Sequence, residues 1–519
     1  MQLFEGLYIL LTVIALLQLN SLILIPVSFR ILILLAAGFG LLHLVFEGLR
    51  WQMLAVYIVF GLFCLFCLKK SQSHFILRIL GFSFGVLLVS VSIALVLLFP
   101  VRALPPPTGP YLVGTFSTVM IDETRVERYE PAFNRAVPVQ IWYPAVTQEP
   151  RDYERQTLFP QLYAGNYDLF SFFTGYMQNI RTHSYINAPI ADTETYPVII
   201  FNHGLFAMAD QNPQLMEHLA SHGYVIASVS HPFESTKVLL PDRGIRTYSM
   251  RYPDDVGFSA DEVNDGGIGD AISTITGLDH SNLMAALYEQ LDRYRDASAV
   301  GKAGVVRASL EIEALQPLGP VLSEANLTSF FEIRDKVRNR STQYWVEDIR
   351  FVVDQLSFLN GPIGNFNDSV DPSQVGALGH SYGGSAVGEF CKVDSRCAAG
   401  SNLDGTQFGS NWKRPVQAPF LLINTDTNPR GNDYAYYPAQ NDFFDLHIPE
   451  TEHGDLLDAL TIFPIWRVLG LGGDLGVQEL TDIVKELELA FFDEYLKGKK
   501  GSMATALERN TEKIAFFGR

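Results

Sequence analysis

The stretch that most constrains this chain is Gly379-His380-Ser381-Tyr382-Gly383-Gly384. It follows a short apolar run at 375–378 and precedes Ser385-Ala386-Val387-Gly388-Glu389-Phe390, which reads as the first turns of a helix. Gly-x-Ser-x-Gly between a strand and a helix demands a turn so sharp that the serine takes a strained backbone conformation. Glycine on either side leaves room for strand and helix to approach.

The surrounding sequence supplies a matching alternation. Residues 111–121 and 137–143 read as early strands. The run from Tyr196 to Leu205 is a buried-type strand entering a His203-Gly204 turn; residues 215–222 read as a helix stopped by Gly223, and 224–229 as another strand. Val346, Ile349, Val352, Val353, Leu356 and Leu359 recur at helical spacing. A strand at 374–378, the turn and its helix come next. Further strands are expected at 398–403, 419–424 and 443–448, with an amphipathic closing helix at 477–497. Strands alternating with helices imply an α/β fold, a mostly parallel sheet covered on both faces. Residues 240–340 interrupt the pattern. An acidic, glycine-rich patch (Asp254, Asp255, Asp261, Glu262, Asp265, Asp270) precedes helical stretches near 281–297 and 305–315. Val263 stands where a calcium loop needs an oxygen ligand, so the patch reads as a solvated loop and the insertion as a lid or cap.

The first hundred residues have a different character. Residues 3–25, 29–46, 51–68 and 75–99 are long apolar stretches, most near the roughly 20 residues that cross a bilayer. They predict an all-α region of four transmembrane helices, and the lack of a basic start argues against a removable leader. Arg30, Lys69, Lys70 and Arg78 fall between helices on one side, which places both termini and the following domain outside the cytoplasm. A proline-rich linker at 100–110 reaches only some 30 Å at about 3.1 Å per residue, so the domain at 111–519 would stay close to lipid.

With 38 Lys and Arg against 56 Asp and Glu, the formal charge of −18 argues against a nucleic-acid partner. Four cysteines make no disulfide framework and show no metal-ligand spacing. Cys391 and Cys397 flank a short loop, and whether they pair is open. No metal or organic cofactor is expected.

A serine hydroxyl is a poor nucleophile until a neighbouring imidazole takes its proton. In a strand-turn-helix setting the partners follow in the order serine, acid, histidine. Of eleven histidines only His447 and His453 lie beyond Ser381. His447 sits inside a strand, whereas His453 is in a loop just past it, where a base can reach back; His453 is the expected base. Asp404 and Asp426 each end a strand, and the residues alone do not separate them. The two backbone donors that a tetrahedral intermediate needs are expected at Tyr382 and Leu205. His203 and His380 are read as shaping turns.

The chain resembles the platelet-activating-factor acetylhydrolase group of α/β-hydrolases, and more loosely dienelactone-hydrolase-like and polyester-hydrolase relatives. The resemblance lies in Ile141-Trp142-Tyr143-Pro144, Tyr196 through Leu205, Leu219 through Tyr224, Gly379 through Gly384 and Asn402-Leu403-Asp404-Gly405. It spans about 111–497 and implies an α/β-hydrolase fold with Asp404 as the acid, Asp426 as the alternative, and Leu205 and Tyr382 as oxyanion donors. Gly405-Thr406 replaces the aromatic expected after the Leu-Asp pair, and the 240–340 insertion is long; both lie where a pocket would be shaped. The expectation is a membrane-tethered serine hydrolase acting on carboxylic esters, with membrane lipids as neighbours and a small-molecule or lipid ester as substrate. An acyltransferase or peptidase using the same three residues, or a non-catalytic receptor keeping the fold, are the alternatives.

Overall fold

The computed structural model describes residues 2–20, 27–68, 75–147, 149–163, 169–191, 195–249, 324–359, 366–409, 414–427, 436 and 441–517. They form two compact units. The first comprises Met1–Pro105 together with Gln156–Thr182 and Ile462–Gly470; the second holds the remainder. The sequence puts the boundary at 100–110, whereas the first unit also draws in these two later segments.

The four apolar stretches of the first unit are helical: α1 (Leu3–Leu19), α2 (Phe29–Leu42, prolonged by a π turn His43–Glu47), α3 (Leu54–Leu68, preceded by a 3-10 turn Trp51–Met53) and α4 (Phe75–Leu98). Among the described residues two segments, Phe29–Glu47 and Ile79–Leu98, are long and apolar enough to cross a membrane; Leu3–Leu19 and Trp51–Leu65 are shorter. Polarity is inverted relative to a water-soluble bundle. Glu5, His43, Arg50 and Gln52 are buried while Leu34 and Phe46 are about 70% exposed. Arg50 donates to Glu5 at 2.7 Å and to the Phe99 carbonyl at 2.6 Å, and Glu47 accepts from the N–H groups of Phe4 and Glu5, both at 2.8 Å. The later segments, which carry the short helices α5 (Pro160–Tyr163) and α6 (Leu169–Thr174), pack here: Trp51 Nε1 donates to the Phe173 carbonyl, and Tyr176 meets both Phe99 and Phe463 edge-on.

In the chain's largest sheet the strands are β1 (Leu112–Val126), β2 (Asn134–Ala145), β3 (Arg155–Thr157), β4 (Arg181–Ile186), β5 (Tyr196–Asn202), β6 (Val225–Val229), β9 (Val370–His380), β10 (Cys397–Leu403), β11 (Phe420–Asn424), β12 (Phe443–His447) and β13 (Ala515–Phe516). Their order is β13-β12-β11-β10-β9-β5-β6-β2-β1-β4-β3. From β12 through β6 neighbours run parallel; β2, β1 and β13 join antiparallel. Strands β7 (Lys237–Leu240) and β8 (Gly244–Thr247) form a separate hairpin.

Period-2 alternation sorts the central strands onto two cores. Val198, Ile200, Val375 and Ala377 face α8 (Glu324–Gln355) and α9 (Tyr382–Val393), meeting Trp345, Ile349, Val352 and Phe390. Ile199, Phe201, Leu378 and Ile423 face α7 (Pro213–Ser221) and the closing helix Val477–Tyr495, meeting Met216, Leu219, Leu487 and Phe491. Buried Asp348 fixes α8 to the sheet: it meets Arg135 at 2.6 Å, and Arg125 and His231 at 2.9 Å each. Burial alone would raise the Asp348 pKa, but Arg135 and His231 hold it far below the usual carboxylate range.

The strand expected at 374–378 is longer, because residues 370–371 pair with Tyr196 and Pro197 of β5 across a register shift. Cys391 and Cys397, left open by the sequence, are joined in a disulfide. The acidic patch and the helical stretches near 281–297 and 305–315 lie outside the described residues, as does most of the expected lid.

Candidate active site

Parallel register delivers the site. Leu403 of β10 pairs with His380 of β9, and Asn202 of β5 pairs with Gly379. The residues that follow, Ser381, Asp404 and the His203-Gly204 turn, therefore emerge together at the carboxyl ends of three adjacent strands, where an open α/β sheet presents ligands.

Ser381 has φ 55° and ψ −123°, the strained conformation expected for the turn between β9 and α9. Its N–H donates to the Leu403 carbonyl at 2.8 Å. Gly383 must be glycine because an added Cβ would stand 2.1 Å from the Asn202 carbonyl oxygen. Ser381 Oγ lies 2.9 Å from His453 Nε2, and His453 Nδ1 lies 2.6 Å from Asp404 Oδ2. A carboxylate only accepts, so Nδ1 carries the proton and Nε2 receives the serine O–H. The Asp404 side chain is fully buried, whereas the His453 side chain is 38% exposed, so a substrate can approach the imidazole while its orienting acid stays dry.

Asp404 is held in turn by Thr425, whose N–H donates to Oδ1 at 3.1 Å and whose hydroxyl donates to Oδ2 at 2.8 Å. Thr427 Oγ1 accepts the His453 N–H at 2.8 Å. Both threonines flank Asp426 in the sequence, where nothing in their spacing marks them as partners of Asp404 and His453. Asp426 is not brought to His453. It lies one strand further out, 2.7 Å from His447 Nε2, and accepts the Glu450 N–H at 2.7 Å. His447 thus ends its strand paired with Asp426.

The expected backbone donors lie on two sides of Ser381. Tyr382 is the first residue of α9, so its N–H lies at the N-terminal end of that helix. Leu205 follows Gly204, and a Cβ added to Gly204 would be 3.3 Å from the Ser381 Cβ. Gln211, which no motif marks in the sequence, accepts the Gly204 N–H at 2.9 Å. His380 is buried beside His453, its Nε2 3.3 Å from the His453 carbonyl. Burial, and then His453, hold its pKa well below the ordinary imidazole value.

Residues 98–240 match the family described as platelet-activating factor acetylhydrolase, isoform II. A platelet-activating factor acetylhydrolase of Cavia porcellus is 25% identical over 404 residues, covering 76% of this chain and 78% of that protein. The protein of that name from Canis lupus familiaris is 23% identical, with 64% of each chain covered. Among solved structures, a ferulic acid esterase from Streptomyces cinnamoneus superposes with a TM-score of 0.52 at 19% identity, covering 80% of this chain and all of that one. The chain is a carboxylic ester hydrolase. The hydrolase shares with that esterase its fold, a mostly parallel mixed sheet flanked by helices as in α/β-hydrolases.

Proposed function

We propose that the hydrolase is a membrane-tethered serine esterase acting on lipid esters, phospholipid acyl esters among them, through an acyl-enzyme. The observation that carries the reading is the continuous chain from Ser381 Oγ through the His453 ring to Asp404, at 2.9 and 2.6 Å. His453 Nε2 takes the Ser381 proton as Oγ attacks the ester carbonyl, and Asp404 stabilises the imidazolium that forms. The N–H groups of Tyr382 and Leu205 receive the charge that develops on the carbonyl oxygen. His453 then protonates the departing alcohol. Water activated by the same imidazole hydrolyses the acyl-serine and restores the enzyme.

Tethering draws support from the two long apolar helices, in which only 22% of the span residues are buried, and from the polar interior of the bundle. We take residues 1–99 as the membrane region, 100–110 as linker and 111–519 as the catalytic domain with its insertion, apart from Gln156–Thr182 and Ile462–Gly470, which belong to the first compact unit. An extracytoplasmic catalytic domain accords with the Cys391–Cys397 disulfide and with the Lys and Arg between the helices. The lipid ester is favoured by the names of the relatives and by the shortness of the proline-rich linker at 100–110.

The test is labelling of the full chain in detergent by a fluorophosphonate probe. Wild type should label and Ser381→Ala should not; labelling that persists in the variant removes the serine from its role. A series of p-nitrophenyl esters of rising chain length then reads out acyl preference.

A further inference from the structure

The turn after β5 contains a buried histidine that the steps above do not use. His203 is fully buried, with its Nδ1 2.7 Å from the carbonyl oxygen of Gly204. That oxygen carries only lone pairs, so Nδ1 must bear the proton. The other nitrogen, Nε2, lies 3.3 Å from the His231 N–H, which offers only a proton, and 2.8 Å from the Ser235 hydroxyl. The ring is therefore the Nδ1–H tautomer, donating on one side and accepting on the other. Burial, and then the neighbouring His231, push its pKa down to about 3, so it stays neutral across the working range.

The Gly204 carbonyl and the Leu205 N–H belong to one planar trans peptide and point in opposite directions. Whatever fixes the carbonyl fixes the N–H. The carbonyl also accepts the Ala207 N–H at 3.0 Å, and Phe206 sits at φ 63° with its N–H on the Glu234 carbonyl at 3.0 Å. Behind His203 stands a rigid aromatic block. Trp345 packs edge-on against it at 5.1 Å, stacks on His231 at 3.8 Å, and donates to the Glu234 side chain at 2.8 Å.

We infer that His203 is a positioning residue: by donating Nδ1–H to the Gly204 carbonyl it aims the Leu205 N–H at the oxygen of the reacting ester. The inference rests on the proposed role of Leu205 as an oxyanion donor. It gives His203 no proton to transfer.

The experiment compares His203→Leu, which cannot donate, with His203→Asn, whose side-chain amide can place an N–H near the position of Nδ1. Both are assayed as full chains on a p-nitrophenyl ester beside Ser381→Ala. His203→Leu should lower kcat by about 10²–10³-fold, as when an oxyanion donor is lost, with KM within about threefold. His203→Asn should recover at least about a tenth of wild-type kcat and keep the acid limb of its pH profile. Wild-type kcat in His203→Leu, or equal impairment in Leu and Asn, overturns the inference; so does loss of the acid limb in His203→Asn. If His203→Leu does not fold, Ser235→Ala replaces it, with an expected fall in kcat of about fivefold at constant KM; an unchanged kcat then overturns the inference. Activity surviving in Ser381→Ala would remove the underlying serine mechanism as well, whereas a dead Ser381→Ala beside a normal His203→Leu removes this inference alone.

Discussion

At Ser381 the backbone is held where a non-glycine residue is strained by about 1–3 kcal/mol, and the hydroxyl is aimed at His453 by that strain. Ser381→Gly should therefore raise thermal stability, by up to about 1 kcal/mol, while abolishing esterase activity. A melting temperature no higher than wild type would count against strain at the turn. The two aspartates separate just as sharply. Asp404 lies on the buried side of His453, and Asp426 is engaged by His447 one strand away. Asp404→Asn should lower kcat by on the order of 10³–10⁴ with little change in KM, because the amide no longer favours the Nδ1–H tautomer or the imidazolium. Asp426→Asn should leave kcat within about threefold. A reversal of these two results would reassign the acid.

At the scale of elements, α9 approaches β5 so closely that a methyl group at Gly383 would collide with the Asn202 and His203 carbonyls. Gly383→Ala should destabilise by about 1–3 kcal/mol and move the His203-Gly204 turn, so that denaturant midpoint and activity fall together. On the opposite face, the closing helix Val477–Tyr495 carries Glu488 into the core against β10, where the Ser401 hydroxyl donates to it at 2.6 Å. Burial pushes its pKa up to about 8, the Ser401 hydrogen bond opposing. The folded protein then holds a proton that the unfolded chain releases near its ordinary value. The stabilisation is complete below about pH 4.5 and is lost as pH rises through about 8. Glu488→Gln copies the protonated form. Its melting temperature should match wild type near pH 5 and exceed it at pH 8; parallel curves across that range would show that Glu488 is already ionised.

For the molecule as a whole, the linker at 100–110 is not a clean place to cut. Gln156–Thr182 and Ile462–Gly470 belong to the same unit as the apolar helices, and Phe173, Tyr176 and Phe463 meet Trp51 and Phe99 or one another there. Removing residues 1–105 should uncover these aromatics. The truncated chain should aggregate without detergent, and full-length protein should resist carbonate extraction from membranes. A monodisperse, detergent-free truncated enzyme would show that those segments need no cover.

How much of this was legible in the chain depends on whether local chemistry or long-range register decided it. The strained serine, the helix behind it and the alternating strands follow from residues adjacent in sequence: glycines that permit a tight turn, and period-2 apolar runs that bury both faces of a sheet. His453 was reachable from order and position, since only two histidines follow the serine and the other, His447, sits inside a strand. The choice between Asp404 and Asp426 was not reachable from position, and only the family resemblance favoured Asp404. Both end strands in polar loops, and only the pairing of β10 beside β9, with β11 one place further out, brings one carboxylate to the imidazole and leaves the other to His447. The same holds for Thr425, Gln211 and the tautomer of His203, which are set by contacts between segments distant along the chain. A sequence states which groups a strand end can offer; the parallel register decides which of them meet.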